Sequence, residues 1–216
     1  VAGLCSCLIG FLLSTKIIEQ RNRKMQHNHI GGKGRESFPE FDELFKAVEG
    51  SMGYLPNAYL GMAKRPELLK SFSGLIMTIF TQEGLNPGLR QLIALASSLS
   101  SGCKYCQAHT SHGAERAGTK EEKIVEILNY AESEHYSDEE RAVLDLAFAS
   151  GRTPNESNSK HFTELKKYFS DEQIIDIVSV ISMFGFLNRW NDTLGTKLED
   201  VPKDFVEEKL KPLGWA

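Results

Sequence analysis

Apolar residues recur at helical spacing over most of the chain. The spacing i, i+3, i+4, i+7, typical of an amphipathic helix, is met by Phe41, Leu44, Phe45 and Val48. A further helix is predicted for residues 66–83, because Pro66 suits a first helical position and Gly84 can end the helix. The segments "NPGLRQLIALASSLSS" and "CKYCQAHTSH" predict two more helices, which meet near Gly102.

Three possible capping boxes predict three helix starts further along the chain. In each box a hydroxyl side chain is followed three residues later by a carboxyl or amide, as in Thr119 with Glu122, Ser137 with Glu140, and Ser170 with Gln173. The last box opens the longest apolar run, residues 171–194. The first half of this run is apolar almost all round, so we expect a central, buried helix. No alternation typical of strands is present, and the predicted fold is all-α.

The N-terminal stretch "VAGLCSCLIGFLLS" is too short to span a bilayer, which takes about 20 apolar residues. No basic residues precede it, as a secretory signal would require. It can be an upstream extension before Met25, or a helix that packs on the body or on a neighbouring subunit. Membrane association or export is the alternative. We predict an N-terminal segment and link over 1–37, a helical domain over 38–200, and a tail helix over 201–216.

Charge and cysteine usage narrow the class of protein. The net charge of −4 and pI near 5.9 give no basic stripe, so nucleic acid is not expected as a partner. The four cysteines form two close pairs rather than a disulfide framework. Cys5 and Cys7 are interpreted as small buried hydrophobic residues. A cytoplasmic location fits this usage.

The segment "SGCKYCQAHTSH" contains the candidate chemistry. Its possible metal ligands are spaced by three: Cys103, Cys106, His109 and His112. On one helix, side chains at this spacing spread over about half of the circumference and about 13 Å along the axis. They therefore cannot bind a single ion together. No metal site is predicted.

A redox dithiol fits the same spacing better. Cysteines at i and i+3 lie on one face, and a helix N-terminus just before them lowers the pKa of a thiol. Tyr105 can shield one side of the pair, and a nearby histidine can exchange a proton with it. Two inert buried cysteines are the alternative interpretation.

The segment "RQLIALASSLSSGCKYCQAHTSHGAERAG", together with "FLNRWNDTLG", resembles the alkylhydroperoxidase D and carboxymuconolactone decarboxylase superfamily, in its peroxidase-related branch. The resemblance covers roughly residues 40–200. It implies a helical bundle that assembles into dimers, trimers or hexamers and has a cysteine-based peroxidase activity. It also implies that Cys106 attacks peroxide and Cys103 resolves the sulfenic acid. Proximity to the helix N-terminus would favour Cys103 as the attacking residue instead.

Two positions depart from the pattern of the superfamily. Gln91 stands where a glutamate is usual, twelve residues before the first cysteine, and Thr110 stands where a histidine is usual. His109 and His112 flank Thr110. We expect that His109 takes the proton-transfer role, that the chemistry is thiol exchange with less need of a base, or that activity is low.

A polar cluster near the C-terminal end of the long apolar run can face the dithiol, namely Asn188, Arg189, Trp190 and Asn191. Packing and capping are the alternative roles for this cluster.

The predicted function is a thiol-dependent peroxidase or disulfide oxidoreductase without a bound cofactor. Its predicted partners are a peroxide or small disulfide, a thiol or lipoyl-type reductant protein, and further copies of the chain. Two alternatives stand beside it: a lyase or isomerase of the decarboxylase type, and a non-catalytic helical oligomer with a regulatory or vestigial dithiol.

Overall fold

The computed structural model describes residues 28–81 and 83–211, and the predictions made for residues 1–27 lie outside this part. The described residues form helices and turns without any strand, which confirms the all-α prediction. We number the α-helices in chain order as α1 Asp42–Met52, α2 Asn57–Met62, α3 Pro66–Thr81, α4 Pro87–Ser101, α5 Lys104–Arg116, α6 Glu121–Val125, α7 Asp138–Gly151, α8 Ser159–Leu165, α9 Asp171–Leu194 and α10 Asp200–Phe205.

Helix α4 is the centre of the bundle. It packs against α5, α7 and α9, and an unbroken stretch from Leu92 to Ser98 is buried. The sequence predicted this central place for α9 instead, and that prediction is wrong for one side of α9. Ile175 is 64% exposed and Phe186 is 42% exposed, because the outer face of α9 has no cover within the described part of the chain.

Two of the three predicted capping boxes are confirmed. Ser137 and Ser170 each accept a hydrogen bond from the N3 backbone, and the N3 side chain bonds back to the N-cap. The box at Thr119 is wrong, because α6 begins after Lys120, which makes no side-chain cap. The hydroxyl of Thr119 instead packs against Gly88 at the start of α4.

The connection from α3 to α4 is held by a buried arginine. Helix α3 ends at Thr81, before the Gly84 that the sequence offered as its end. Arg90 is 4% exposed and donates to the carbonyl oxygens of Phe80 at 2.5 Å and Leu85 at 2.9 Å. The first bond satisfies a carbonyl that the end of α3 leaves without a partner, and the second holds the connection between the two helices.

The turn between α4 and α5 places the cysteines. Gly102 has a φ of 79°, a left-handed conformation that favours glycine at the end of a helix. The backbone N–H groups of Gly102 and Cys103 donate back to Leu99 and Ser98. Cys103 is then the N-cap of α5, so both cysteines belong to the first turn of a helix that packs on α4.

The C-terminal segment packs against α2 and α5. Asn57 donates through its side chain to the carbonyl of Lys197 at 2.9 Å, and α10 packs against α5. Within the described residues, no helix is both long and apolar enough to cross a membrane.

Candidate active site

The two cysteines of the motif lie close together in the core. Cys103 is 0% exposed and Cys106 is 2% exposed, and both are free thiols. A pair at this spacing on one helix is within reach of a disulfide after a small adjustment. The structure therefore brings the two thiols of the motif together in the first turn of α5.

The pKa of the Cys106 thiol is raised well above its ordinary value. Interaction with the neighbouring Cys103 thiol is the largest cause, and burial disfavours the thiolate as well. The amide of Asn191 acts in the opposite direction, since it donates to the sulfur. Burial and the neighbouring thiol thus favour the protonated form of Cys106.

Two asparagines of α9 contact the helices that meet at the cysteine pair, one on α4 and one on α5. Asn191 is 2% exposed and donates through Nδ2 to Cys106 Sγ at 3.5 Å. Asn188, also 2% exposed, donates through Nδ2 to the carbonyl of Ser97 at 3.5 Å. The Oδ1 atom of each asparagine has no hydrogen-bond partner among residues 28–81 and 83–211. The polar cluster predicted from the sequence thus includes a residue in contact with the dithiol.

His109 lies on a different flank of α5, bonded at both ring nitrogens. Nε2 is 2.6 Å from Glu199 Oε2, and Nδ1 is 3.0 Å from the Tyr54 hydroxyl. Because a carboxylate can only accept, Nε2 donates, and a neutral imidazole then accepts the Tyr54 hydrogen at Nδ1. The ring also stacks on Tyr105, with 4.2 Å between centroids. The proton-transfer role of His109 therefore stays a prediction.

Glu199 joins three parts of the chain. Its Oε1 accepts the Tyr105 hydroxyl at 2.8 Å and the backbone N–H of Asn57, while its Oε2 meets His109. The side chains of Glu199 and His109 are each 10% exposed. Burial raises the pKa of Tyr105, so its hydroxyl stays a donor. We call Tyr54, Tyr105, His109 and Glu199 the histidine cluster.

Other predicted residues lie beside these two groups. Thr110 is 1% exposed and donates to the carbonyls of Cys106 and Gln107 within its own helix, so it does not extend toward a substrate. His112 packs against Tyr54 and against Phe205 of α10. Burial lowers the pKa of His112, with a smaller contribution from the Arg116 charge.

Gln91 and Trp190 have packing neighbours rather than contacts with the thiols. The Gln91 amide lies so close to Gly113 that a Cβ there would be 2.7 Å from its Oε1. Trp190 stacks on Phe186, with 5.9 Å between ring centroids. Tyr105 donates its hydroxyl to Glu199 and stacks on His109.

The sequence missed two members of the histidine cluster. Tyr54 and Glu199 lie 55 and 90 residues from His109 along the chain, and neither stands in a recognisable motif. No group of three or more His, Cys, Asp or Glu side chains suited to a metal ion is found within the part of the chain that the structure describes.

Comparison with known proteins identifies the family. A model of the carboxymuconolactone decarboxylase family matches residues 66–149, a range that holds the dithiol. The uncharacterized protein YdfG of Bacillus subtilis is 30% identical over 122 residues, which are 54% of this chain and 80% of that protein. The chain belongs to the carboxymuconolactone decarboxylase family. The resemblance inferred from the sequence is confirmed.

Solved structures of the family share the fold. The debrominase Bmp8 is 35% identical with a TM-score of 0.77, and the match covers 82% of this chain and 94% of that one. A cysteine-to-alanine variant of Bmp8 has been solved in complex with 2,3,4-tribromopyrrole. An uncharacterized peroxidase-related protein from Ralstonia eutropha JMP134, with an alkylhydroperoxidase AhpD core, matches over 82% of this chain and 94% of that one. Its identity of 24% and TM-score of 0.73 indicate a common fold.

Proposed function

We propose that this family member is a thiol-dependent reductase in which Cys103 and Cys106 reduce a small electrophile, with peroxide as the first candidate. The observation that carries the proposal is the pair of buried, neighbouring thiols in the first turn of α5. A pair so placed can pass from dithiol to disulfide without a large movement of the backbone.

The peroxide reaction balances with the two thiols alone. The Cys106 thiolate attacks one peroxide oxygen, the O–O bond breaks, and the leaving alkoxide takes a proton, which gives an alcohol and a sulfenic acid on Cys106. The Cys103 thiolate then attacks that sulfur, and the hydroxyl leaves as water. The products are one alcohol, one water and one disulfide.

Asn191 is assigned a supporting role in the first step. Its Nδ2–H group already donates to Cys106 Sγ, and a hydrogen bond to a thiolate is stronger than one to a thiol. Cys106 is preferred as the attacking residue because it is the cysteine with this donor. His109 is proposed to support α5 through the histidine cluster, and a proton-transfer role for it is tested below.

An external reductant must restore the dithiol. A small thiol or a lipoyl-type protein can do so by thiol–disulfide exchange, in which its own dithiol is oxidised. A reducing compartment such as the cytoplasm would supply this partner.

The test of the function is the fate of the cysteines. After mild peroxide treatment, mass spectrometry should find the peptide that holds both cysteines lighter by two hydrogens. Cys106→Ser should stop peroxide consumption, whereas Cys103→Ser should still consume one equivalent and accumulate a sulfenic acid. If both cysteines stay separately alkylatable after peroxide treatment, the proposal fails.

Reductive removal of a halogen is a second candidate, favoured by the 35% identity to the debrominase Bmp8. The same two electrons would convert an aryl bromide and the dithiol into the dehalogenated ring, bromide, a proton and the disulfide. Bromide release from 2,3,4-tribromopyrrole, measured with reduced protein and with Cys106→Ser, separates this activity from peroxide reduction.

We also propose that the chain forms a homo-oligomer through α3 and α9. Large apolar side chains on these two adjacent helices are exposed, namely Leu75, Met77, Ile175 and Phe186. Exposed apolar patches of this kind are uncommon on soluble monomers. Light scattering should give a multiple of 24.2 kDa, and Met77→Asp with Ile175→Asp should reduce it to that mass. Leu128→Asp, at a residue 66% exposed elsewhere, is the control.

A further inference from the structure

The C-terminal segment, residues 197–210, is bonded to the helical turn that holds the dithiol. Tyr105 lies between Cys103 and Cys106 in the first turn of α5, and it is 8% exposed. Its hydroxyl donates to Oε1 of Glu199, the N-cap residue of α10, at 2.8 Å. One side chain thus links the turn of the two cysteines to a carboxylate 94 residues further along the chain.

Glu199 also joins the segment to two other places. Its Oε1 accepts the backbone N–H of Asn57, and its Oε2 lies 2.6 Å from His109 Nε2. Hydrogen bonds to a charged group are stronger than those between neutral groups, and the Glu199 side chain is only 10% exposed. The ion pair of Lys209 with Glu121, at 3.1 Å, is exposed and contributes little by comparison. The polar attachment of the segment is therefore strongest at Glu199.

The two sulfurs are buried too deeply for a large reaction partner. Cys103 is 0% exposed and Cys106 is 2% exposed. Thiol–disulfide exchange brings a sulfur of the partner into contact with a sulfur of the protein, so its rate depends on access. A small peroxide needs much less space than a dithiol carried by a protein. Some part of the structure therefore has to move before a bulky partner can react with the cysteines.

The C-terminal segment is the part that can move with the smallest loss of packing. It consists of α10 and one π-helical turn, Val206–Leu210, and its buried side chains are Pro202, Phe205 and Leu210. Helices α4 and α9, which also pack on α5, bury ten and nine residues. Local opening favours the element that loses the fewest buried contacts. When this segment moves away, Tyr105 loses its acceptor, and the turn of the two cysteines loses its attachment to the segment.

We propose that the Tyr105–Glu199 bond selects by size among the compounds that reach the dithiol. The inference rests on the proposed function: small peroxides react while the bond is made, and a bulky disulfide or dithiol partner reacts only after the bond opens. Tyr105 and Glu199 are positioning residues in this scheme, because they act through the first turn of α5 and not on the reacting atoms.

Access is tested with two neutral thiol reagents of different size, methyl methanethiosulfonate and the two-ring disulfide dithiodipyridine. In each case the thiolate sulfur forms a new S–S bond, the S–S bond of the reagent breaks, and methanesulfinate or thiopyridine leaves. Mass spectrometry follows the loss of the free dithiol, with Cys5→Ser and Cys7→Ser in every protein. Because both reagents need the same thiolate, the ratio of the two rates measures access rather than ionisation.

Tyr105→Phe removes the hydroxyl and keeps the ring. The rate with dithiodipyridine should rise at least about tenfold, because loss of a hydrogen bond to a charged group shifts the opening equilibrium by about that factor or more. The rate with methyl methanethiosulfonate should change less than about threefold. Tyr130→Phe is the matched control, since the Tyr130 hydroxyl also donates to a carboxylate, that of Asp145, but lies between α6 and α7.

A second variant and a second measurement locate the opening. Glu199→Gln replaces the charged acceptor by a neutral one and should change the ratio of the two rates in the same direction by a smaller factor. In Tyr105→Phe, the backbone amides of residues 104–109 and 200–205 should exchange hydrogen at least about tenfold faster, whereas those of α4 should not change. Circular dichroism and melting temperature check that each variant folds.

The outcomes separate this inference from the proposed function. A rise by the same factor with both reagents means general loosening and overturns size selection. An unchanged ratio of rates in Tyr105→Phe and Glu199→Gln, or the same change in Tyr130→Phe, overturns it as well. Size selection with no disulfide formed by peroxide would instead remove the proposed function, and a disulfide formed by peroxide without size selection would remove only this inference.

Discussion

Helix α5 presents two polar groups on neighbouring flanks, and they differ in how well their hydrogen bonds are satisfied. In the histidine cluster, both ring nitrogens of His109 and both oxygens of Glu199 have partners. Around the dithiol, the Cys106 sulfur accepts a hydrogen bond from Asn191 Nδ2, but the amide oxygen of Asn191 has no partner among the described residues. The flanks are only about 60° apart, as judged from Cys106 and His109.

The difference indicates that the histidine cluster and the dithiol have different roles. A buried network in which every hydrogen bond is made holds its side chains in one arrangement and has no free donor or acceptor for a ligand. Groups that stay unsatisfied in the core cost stability, and functional sites are one place where proteins retain them. The histidine cluster accordingly ties the C-terminal segment to α5, while the dithiol and the asparagines of α9 form the side that we propose to be reactive.

The pH dependence of thiol reactivity is the largest expected effect. Because the pKa of Cys106 is raised, its thiolate fraction grows about tenfold with each pH unit below that pKa. The rate of peroxide consumption should rise on the order of 10³-fold between pH 6 and pH 9. Stopped-flow measurement with excess peroxide checks this. A plateau below pH 8 would mean that Cys103, or a Cys106 activated by another group, attacks.

Removal of the carboxylate from the histidine cluster should affect stability far more than rate. Glu199→Ala leaves the donors of Tyr105, His109 and Asn57 without an acceptor, so we expect a loss of about 3 kcal/mol in unfolding free energy. The rate of thiol oxidation should change by less than about threefold. Denaturant unfolding and peroxide assays measure the two quantities.

Two further variants complete this test. Glu67→Ala removes an ion pair in which the glutamate side chain is 86% exposed, and should cost at most about 1 kcal/mol. His109→Ala should likewise destabilise the protein with a small effect on rate. A fall in turnover of about 10²-fold, with stability retained, would assign His109 to proton transfer instead.

Local sequence signals predicted much of this fold. Ser137 and Ser170 start helices because each cap needs only a residue three positions away, and Gly102 ends α4 for a similarly local reason. Thr119 has the same local pattern but packs on Gly88, so a tertiary contact overrode it.

Local sequence patterns predicted less of the candidate site than of the fold. The cysteine pair is local and was found, and the polar residues at the end of α9 were noted as an exception to an apolar run. Tyr54 and Glu199 were missed because contacts across 55 and 90 residues depend on the packing of helices, which no local pattern specifies. A single sequence carries no signal for such pairs.

Substitution of Asn191 directly tests how its hydrogen bond affects the Cys106 thiol. Asn191→Leu keeps a similar volume but removes the donor to Cys106 Sγ, which should raise the pKa of the thiol further. One hydrogen bond to a group that becomes charged is worth about 1 kcal/mol, so the rate near neutral pH should fall about fivefold. The rate at a pH where Cys106 is fully ionised should fall less. An equal loss at every pH would indicate a change in geometry rather than in ionisation.

Substitution of Gln91 should have the smallest effect on the rate of peroxide consumption. It also tests how far the proposed reactive side extends along α5. Its amide adjoins Gly113, seven residues after Cys106, which is about 10 Å along α5. A carboxylate at that place needs a bridging side chain to reach the thiol, and Thr110 instead donates to the carbonyls of its own helix. Gln91→Glu should therefore change the rate of peroxide consumption by less than about twofold, since charges at this separation are screened by about one Debye length. A tenfold rise in rate would show that a path for proton transfer runs along α5, and the reactive side would then extend well beyond the cysteines and Asn191.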